Sequence, residues 1–183
     1  LEFKAPIPST RSWAASPDLL LLISETVKKT KPSLVVELGS GVSTLVSAKS
    51  GARKVVSIDN SEEYGAKTRD LLKEHKVRGV EIRIAPLRPY ANGSDWYDIS
   101  TIKDLKKIDL LIVDGPPGSK NPEARYPAFK EFKDKLSAKA VIIIDDVNRD
   151  GERKLAEDFA KSLPNHTLTI LDHEKGTAVI SPR

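Results

Sequence analysis

A short glycine-containing segment followed by an aspartate has the clearest capacity for chemistry in this sequence. The segment Glu37-Leu38-Gly39-Ser40-Gly41-Val42-Ser43-Thr44 follows an apolar run, and Asp59 comes twenty residues after Gly39. Gly39 permits a tight turn, and Gly41 lets a ligand approach the backbone closely. An acid at the position of Asp59 can accept hydrogen bonds from two ribose hydroxyls. The joint spacing favours nucleoside binding over an ordinary glycine turn followed by a helix-capping aspartate.

The composition of this glycine segment indicates which nucleoside fits. A dinucleotide site needs a third glycine for the pyrophosphate and for close helix packing, and Thr44 stands in that position. The carboxylate of Glu37, just before the turn, would repel a pyrophosphate, whereas it can hold the ammonium group of a zwitterionic ligand. The segment therefore favours S-adenosylmethionine over NAD.

Three more carboxylates follow two later apolar runs. Asp114 comes after 108–113, and Asp145 and Asp146 come after 140–144. Adjacent parallel strands would bring these side chains to one edge, and three hard oxygen ligands with room for water suit Mg²⁺. The alternative is that each aspartate only caps the turn that follows its strand.

Alternating strand-like and helical segments must position these residues. Short apolar runs predict buried strands, and apolar residues at helical spacing predict helices between them. The predicted strands are 34–38, 54–58, 80–85, 108–113 and 140–144, with a closing hairpin of 167–171 and 177–180. The predicted helices begin after Ser16, at Ser43, after Asn60 (with Glu63 in a capping box), near Tyr126 and near Gly151. Residues 86–101 are predicted to be irregular.

This alternation predicts an α/β fold. It implies a parallel sheet wound with right-handed crossovers, followed by the closing hairpin. Ligands on such sheets bind outside the carboxyl ends of the strands. The 183 residues fit one domain, and we expect an N-terminal arm over 1–15 and the folded domain over 16–183.

The amino-acid composition excludes or disfavours several classes of protein and of functional site. There is no Cys, which excludes a disulfide scaffold, a thiolate metal site and a Cys nucleophile, and fits a cytoplasmic location. There is no Met, so we expect a processed form or a fragment. The net charge of +4 comes from interspersed charges, which favours a solvated surface over a nucleic-acid partner. The apolar run Leu19–Ile23 is far shorter than the ~20 residues of a membrane span, and nothing indicates an oligomeric state.

Taken in order, these segments resemble the class I S-adenosylmethionine-dependent methyltransferases. The resemblance implies an α/β, Rossmann-like three-layer sandwich, built on a mostly parallel seven-stranded sheet with a C-terminal antiparallel hairpin. The run Val35–Leu45 resembles motif I of the family, Val55–Asp59 its ribose-binding strand, and Ile108–Gly118 its motif IV. The run Val141–Asp146 matches the fifth strand, and the closing hairpin matches the sixth strand and the reversed seventh strand. The resemblance covers about residues 16–181 and assigns no subfamily.

The resemblance implies a role for each matching position. Glu37, Gly39 and Gly41 would cradle the methionine moiety, and Asp59 would hold the ribose. Asp114 would lie beside the transferring methyl group. The spacing of the acidic residues resembles that of metal-dependent catechol and sugar O-methyltransferases, which implies Mg²⁺ at Asp114, Asp145 and Asp146. The adenine would lie against Ala85, Pro86 and Leu87, and the other implied cofactor contacts are Ser40, Ser43, Thr44 and Asn60.

Four residues are candidates for catalysis or acceptor binding, each with a structural alternative. His173, in the closing hairpin, is a candidate general base, or else an exposed turn histidine. Arg125 and Tyr126 are candidates to bind an anionic acceptor, or else form a helix-entry ion pair and a core aromatic contact. Trp13 is a candidate lid over the acceptor, or else a packing anchor. The other histidines are interpreted as surface residues: His75 and His166.

The expected function is methyl transfer to an oxygen or nitrogen of a small molecule or glycan, catalysed by Asp114 and His173 with possible Mg²⁺ assistance. One alternative is aminopropyl transfer, which uses a similar fold and a decarboxylated donor; Glu37 disfavours it, because the carboxylate-bearing donor fits that site. A second is a non-catalytic nucleoside-binding domain, disfavoured by the intact glycines and Asp59. A third is a dehydrogenase, which cofactor titration distinguishes from the others.

Overall fold

The computed structural model describes residues 1–8, 15–118 and 121–183. Its helices are α1 (Pro17–Thr30), α2 (Val42–Lys49), α3 (Glu62–Glu74), α4 (Pro127–Phe132) and α5 (Asp150–Ser162). Its strands are β1 (Val35–Leu38), β2 (Val55–Asp59), β3 (Val80–Ile84), β4 (Leu87–Pro89), β5 (Asp95–Tyr97), β6 (Ile108–Val113), β7 (Leu136–Asp145), β8 (His166–Leu171) and β9 (Thr177–Pro182). Short 3₁₀ helices cover Ile99–Ile102 and Lys133–Lys135.

Seven strands form one sheet in the order β3-β2-β1-β6-β7-β9-β8. The first five are parallel, whereas β9 runs antiparallel to both β7 and β8. The strand order reverses between β1 and β6, and this switch point is where ligands bind on open α/β sheets. The predicted mostly parallel seven-stranded sheet with its closing antiparallel hairpin is confirmed.

Helices cover both faces of the sheet, because its central strands are apolar on both sides. On one face, α1, α2 and α3 pack against side chains such as Val35 and Leu110. On the other face, α4, α5 and β5 pack against side chains such as Val36 and Leu111. All six residues of β6 are buried, as expected for a central strand of a parallel sheet. The predicted three-layer arrangement is therefore confirmed.

Local signals place several element ends. The main departures from the sequence-based expectation are one helix cap, one strand start and one segment predicted to be irregular. Helix α3 is capped by Ser61, whose Oγ accepts a hydrogen bond from the backbone N–H of Tyr64 at 3.3 Å, and not by Asn60. Strand β7 begins at Leu136, four residues earlier than predicted. The segment predicted to be irregular contains the two-stranded sheet of β4 and β5.

Two histidines interpreted as surface residues are buried. His75 is covered by the N-terminal segment: the Phe3 ring contacts its edge, and the backbone N–H of Lys4 donates to its Nδ1 at 3.2 Å. His166 is buried beside β7, with Nε2 2.9 Å from the carbonyl oxygen of Ala140. Neither histidine lies near the carboxyl ends of the parallel strands. None of the described helices combines the length and the apolar character that a membrane crossing requires.

Candidate active site

The glycine segment forms the turn between β1 and α2. Gly39 has a φ of +96°, in the left-handed region that favours glycine, and its N–H donates to the carbonyl of Ile58 at 2.8 Å. Gly41 is extended, and a Cβ atom built on it would meet no atom within 4 Å. Its N–H donates to Oγ1 of Thr44 at 3.0 Å, which anchors the first turn of α2. The backbone at Gly41 therefore faces open space beside the end of β1.

Glu37 is the acidic residue directly under this turn, and it is fully buried. Its Oε2 accepts hydrogen bonds from Thr44 Oγ1 at 2.5 Å and from Ser57 Oγ at 2.8 Å. Its Oε1 is buried without a hydrogen-bond partner among the described residues. Burial raises the pKa of Glu37 to about 7, although the surrounding hydroxyl groups act in the opposite direction. A cationic group brought to this carboxyl would favour its ionised form.

Asp59 ends β2 next to the same turn. Its Oδ2 accepts hydrogen bonds from the backbone N–H of Ser40 at 3.0 Å and from Ser40 Oγ at 2.6 Å. Its Oδ1 accepts one from the N–H of Ser61 at 2.9 Å. The carboxylate is thus fixed by the turns that follow β1 and β2, with oxygen lone pairs remaining for a further donor.

The other predicted cofactor contacts lie at the same edge of the sheet. Asn60 stands in the turn between β2 and α3, and Ser43 is buried in the first turn of α2. Ala85 is buried after β3, and its N–H donates to the carbonyl of Asp59 at 2.7 Å. Pro86 and Leu87 continue from there into β4. The loops after β1, β2 and β3 are therefore adjacent in space. Their contacts with a nucleoside remain predictions.

The three predicted metal-binding carboxylates are brought together by β6 and β7. One oxygen each from Asp114, Asp145 and Asp146 lies within 4.8 Å of the other two. Burial raises the pKa of Asp114; the nearby guanidinium of Arg125 lowers it, and the other two aspartates raise it. The pKa of Asp145 is raised as well, by burial and by the charge of Asp146. Proximity of the carboxylates, inferred from strand order, is confirmed.

The guanidinium of Arg125 lies inside this acidic cluster. Its Nη2 is 2.9 Å from Asp146 Oδ2 and 3.4 Å from Asp114 Oδ1. Its hydrogen bonds to the backbone go to carbonyl oxygens at or just after the ends of the same strands: Asp114 at 3.1 Å, Pro116 at 3.2 Å and Asp145 at 3.3 Å. The side chain is only 5% exposed. Of the two interpretations of Arg125, the contacts match an ion pair, and its donors are directed to the protein.

Tyr126, the neighbouring candidate for acceptor binding, is turned towards α5. Its hydroxyl donates to Asp158 at 2.7 Å, its ring packs edge-on against Phe129, and Nζ of Lys154 lies 4.0 Å from the ring centre. These contacts match the core-aromatic interpretation. Trp13, the candidate lid, lies outside the described residues.

His173 is connected to the acidic cluster through one hydroxyl group. Its Nδ1 is 3.0 Å from Oγ1 of Thr177, and that hydroxyl donates to Oδ1 of Asp145 at 3.4 Å. Because a threonine hydroxyl has a single hydrogen, this arrangement has Nδ1–H of His173 as the donor to Thr177. The tautomer leaves the lone pair on Nε2, which is the form that a general base requires.

Two buried polar residues of this region did not stand out in the sequence. Tyr97 is 2% exposed, and its hydroxyl has no hydrogen-bond partner among the described residues. That hydroxyl lies against Gly115, where a Cβ would collide with it. Glu152 of α5 is also buried, with Oε1 3.7 Å from Nε of Arg125. The aromatic pair Trp96–Tyr97 was the available signal that residues 86–101 contribute to the core.

Comparison with known proteins connects this geometry to a family. A family model described as "Methyltransferase domain" matches residues 36–147, which is more than half of the chain. This range contains the glycine turn, Asp59 and all three clustered aspartates. Among curated proteins, none matches the chain.

Solved structures with the same fold are numerous. An O-methyltransferase from Bacillus cereus in complex with SAH is 17% identical with a TM-score of 0.73, over 97% of this chain and 84% of that one. The O-methyltransferase TomG from Streptomyces achromogenes, in complex with SAM, is 16% identical with a TM-score of 0.73, over 93% and 82%. The SAH-bound methyltransferase PaMTH1 from Podospora anserina is 21% identical with a TM-score of 0.69, over 93% and 80%. At these identities the likeness shows a shared fold.

Proposed function

Because the chain belongs to the methyltransferase-domain family, we propose that it transfers a methyl group from S-adenosylmethionine to an oxygen or nitrogen atom of a small molecule or glycan. The observation that carries this proposal is the open position beside Gly41, with the acids Glu37 under the turn and Asp59 next to it. Several similar structures are named O-methyltransferases, which favours oxygen as the acceptor atom.

The donor is proposed to bind across the ends of β1, β2 and β3. Glu37 would attract the ammonium group of the methionine moiety, because a buried carboxyl with an unpartnered oxygen gains from a nearby cation. Asp59 would accept the ribose hydroxyls with its remaining lone pairs. The adenine would lie against the segment Ala85–Leu87, next to Asn60. These residues fit the donor by charge and by the open space at Gly41.

The bound donor supplies a methyl group on a sulfonium, so the protein's main task is to align an acceptor with it. Asp114 follows β6 at the switch point, where its carboxylate would orient the acceptor or accept its proton. His173 would act as the general base for a poorly acidic hydroxyl, because its Nδ1 is held by Thr177 and its Nε2 is left to take a proton. The contacts of Tyr126 are with α5 and do not support acceptor binding. Trp13 lies outside the described residues.

Magnesium assistance was also expected, at Asp114, Asp145 and Asp146. The three carboxylates are close enough for an ion, and Oδ2 of Asp145 is buried without a hydrogen-bond partner among the described residues. Against this, the cation of Arg125 already contacts Asp114 and Asp146. The donor set therefore does not fit a divalent ion as it stands, and we assign no step to magnesium.

Calorimetric titration tests the proposed donor. S-adenosylmethionine and its demethylated product should bind in the micromolar range, and NAD should bind much more weakly, because Glu37 would repel a pyrophosphate. Decarboxylated S-adenosylmethionine should bind no better than the intact donor. Tighter binding of NAD would contradict a methyltransferase, and a preference for the decarboxylated donor would indicate aminopropyl transfer.

A further inference from the structure

We propose that the guanidinium of Arg125 is the permanent cation of the Asp114–Asp145–Asp146 cluster, taking the place of a divalent metal ion. The cluster then holds its carboxylates in position without a metal. The claim about the cation stands on the contacts of Arg125 alone; the claim that methyl transfer is metal-independent rests also on the proposed function.

The contacts of Arg125 are those of a cation built into the fold. Its Nη2 contacts one carboxylate from each of two adjacent strand ends, Asp146 at 2.9 Å and Asp114 at 3.4 Å. Three backbone carbonyls also accept hydrogen bonds from the guanidinium: that of Pro116 from Nε, that of Asp145 from Nη1 and that of Asp114 from Nη2. Arginine stays charged at any pH that a protein tolerates. Displacing it would strand buried carbonyl oxygens as well as carboxylates, which is costly.

A second guanidinium makes the cluster less available to a metal. Nη1 of Arg149 lies 3.2 Å from the same Asp146 oxygen that Arg125 contacts, and 3.6 Å from Oε1 of Glu152. Asp146 Oδ2 is thus shared by two positive groups. A divalent ion bound there would need to approach this oxygen to about 2–2.6 Å, and it would face both guanidinium groups at short range.

Asp145 is the one member of the cluster that Arg125 contacts only through its backbone carbonyl. Its Oδ1 accepts a hydrogen bond from Thr177, and its Oδ2 has no hydrogen bond among the described residues. A single available carboxylate oxygen is a poor site for Mg²⁺, which is held by several oxygen ligands. Removing the Arg125 guanidinium would instead free the Asp114 carboxylate and leave Asp146 with Arg149 alone, whose side chain is 44% exposed and can move aside. The three carboxylates would then bind a divalent ion.

Manganese titration of the purified full chain, followed by electron paramagnetic resonance and calorimetry, tests this inference without an acceptor or donor. The wild-type protein should show no manganese site of micromolar affinity. Arg125→Met, which keeps much of the side-chain volume, should bind one ion at least about tenfold more tightly, equivalent to about 1.4 kcal/mol. Arg125→Lys keeps a positive charge and should resemble the wild type.

Arg83→Met is the matched control. Arg83 also bonds two carboxylates, Glu81 and Asp104, and a backbone carbonyl, that of Thr101, but far from the cluster. This variant should gain no manganese site.

A micromolar site in the wild-type protein would overturn the proposal, as would a folded Arg125→Met protein that binds no more manganese than the wild type. If Arg125→Met does not fold, the wild-type and Arg125→Lys titrations decide, because tight binding to either contradicts a resident cation. A separate measurement of S-adenosylmethionine binding tests the proposed function, so that its failure can be distinguished from a failure of the claim about Arg125.

Discussion

A Cβ atom on Gly39 would lie 3.1 Å from the carbonyl oxygen of Asp114, so the turn after β1 touches the turn after β6 at the level of the backbone. The turn after β1, which is part of the proposed donor site, therefore packs directly against the acidic cluster. Only a glycine fits at this contact, because the φ of Gly39 is also in the left-handed region.

The two glycines of the turn between β1 and α2 should respond differently to alanine. Gly39→Ala should lower the free energy of unfolding by about 1–2 kcal/mol, through its positive φ and its contact with Asp114. Gly41→Ala should leave stability nearly unchanged, because its Cβ meets open space, yet weaken donor binding about tenfold or more by occupying that space. Thermal unfolding and calorimetry with SAH measure both effects. Unchanged SAH affinity in Gly41→Ala would show that the donor binds elsewhere.

Asp59→Ala should weaken donor binding by about 1–3 kcal/mol, because the ribose hydroxyls lose their acceptor. Asp109→Ala is the matched control: Asp109 is also buried and accepts hydrogen bonds from a backbone N–H, of Ser33, and a serine hydroxyl, of Ser137, but at the opposite edge of the sheet. Both variants should lose stability, and only Asp59→Ala should lose affinity in calorimetry. Equal donor affinities in the two folded variants would show that Asp59 is not part of the donor site.

Asp114→Asn keeps the size of the side chain and removes its charge. Donor binding should survive, since the donor is proposed to bind at the ends of β1 to β3. Turnover should fall by roughly 10²-fold or more, as when a general base or positioning group is lost. SAH formation with an acceptor found by screening hydroxylated small molecules and glycans measures the loss. Wild-type turnover in a correctly folded Asp114→Asn protein would refute a catalytic role.

Glu37 should make stability fall as pH rises. Its folded-state pKa of about 7 lies above the ordinary value of 4.5, so between these values the folded protein holds a proton that the unfolded chain releases. The free energy of unfolding should therefore decrease by up to about 3 kcal/mol from pH 4.5 to 7 on account of this group. Urea unfolding across this range should show the trend in the wild type, with a weaker dependence in Glu37→Gln. Parallel curves for the two proteins would mean that the pKa of Glu37 does not change on folding.

The contact of His173 with Thr177 predicts two variants with related defects. His173→Gln should lower turnover by roughly 10²-fold for a poorly acidic acceptor, through loss of the base. Thr177→Val keeps the buried shape but removes the hydroxyl that orients the imidazole, so a smaller loss is expected. SAH affinity should stay the same in both. His166→Gln, a change to a buried histidine away from the site, should leave turnover intact, and an equal loss in this variant would indicate a general structural effect.

Much of the fold could be predicted because its signals are local. Apolar runs marked the strands, and chain-order rules for parallel sheets placed Gly39, Asp59 and Asp114 at one edge. The cap of α3 was misplaced by one residue, since Asn60 and Ser61 can both cap a helix. The path of the chain decides between them: the N–H of Ser61 is held by Asp59, which directs its hydroxyl to the helix.

The acidic cluster illustrates the part that sequence could not supply. Strand order predicted that Asp114, Asp145 and Asp146 would meet, but not which cation would face them. Arg125 lies eleven residues beyond Asp114, in a loop without periodicity, so its direction depends on tertiary contacts with carbonyls of two strand ends. Tyr97 was missed for the same reason, because the short pairing of β4 with β5 carries no pattern longer than three residues.

Asp145 stands opposite Thr177 in the antiparallel pairing of β7 with β9. A slip of one residue would exchange the two faces of β9 and bring Ala178 or Gly176 to that position, neither of which has a hydroxyl. The number of residues in the turn before β9 sets this register. Gly176 stabilises the turn, because its N–H donates to the carbonyl of His173 at 2.9 Å. Inserting or deleting a single residue between Leu171 and Thr177 would therefore disconnect His173 from Asp145 while leaving both side chains intact. In this hairpin the length of the turn therefore decides whether the proposed base is connected to the acidic cluster.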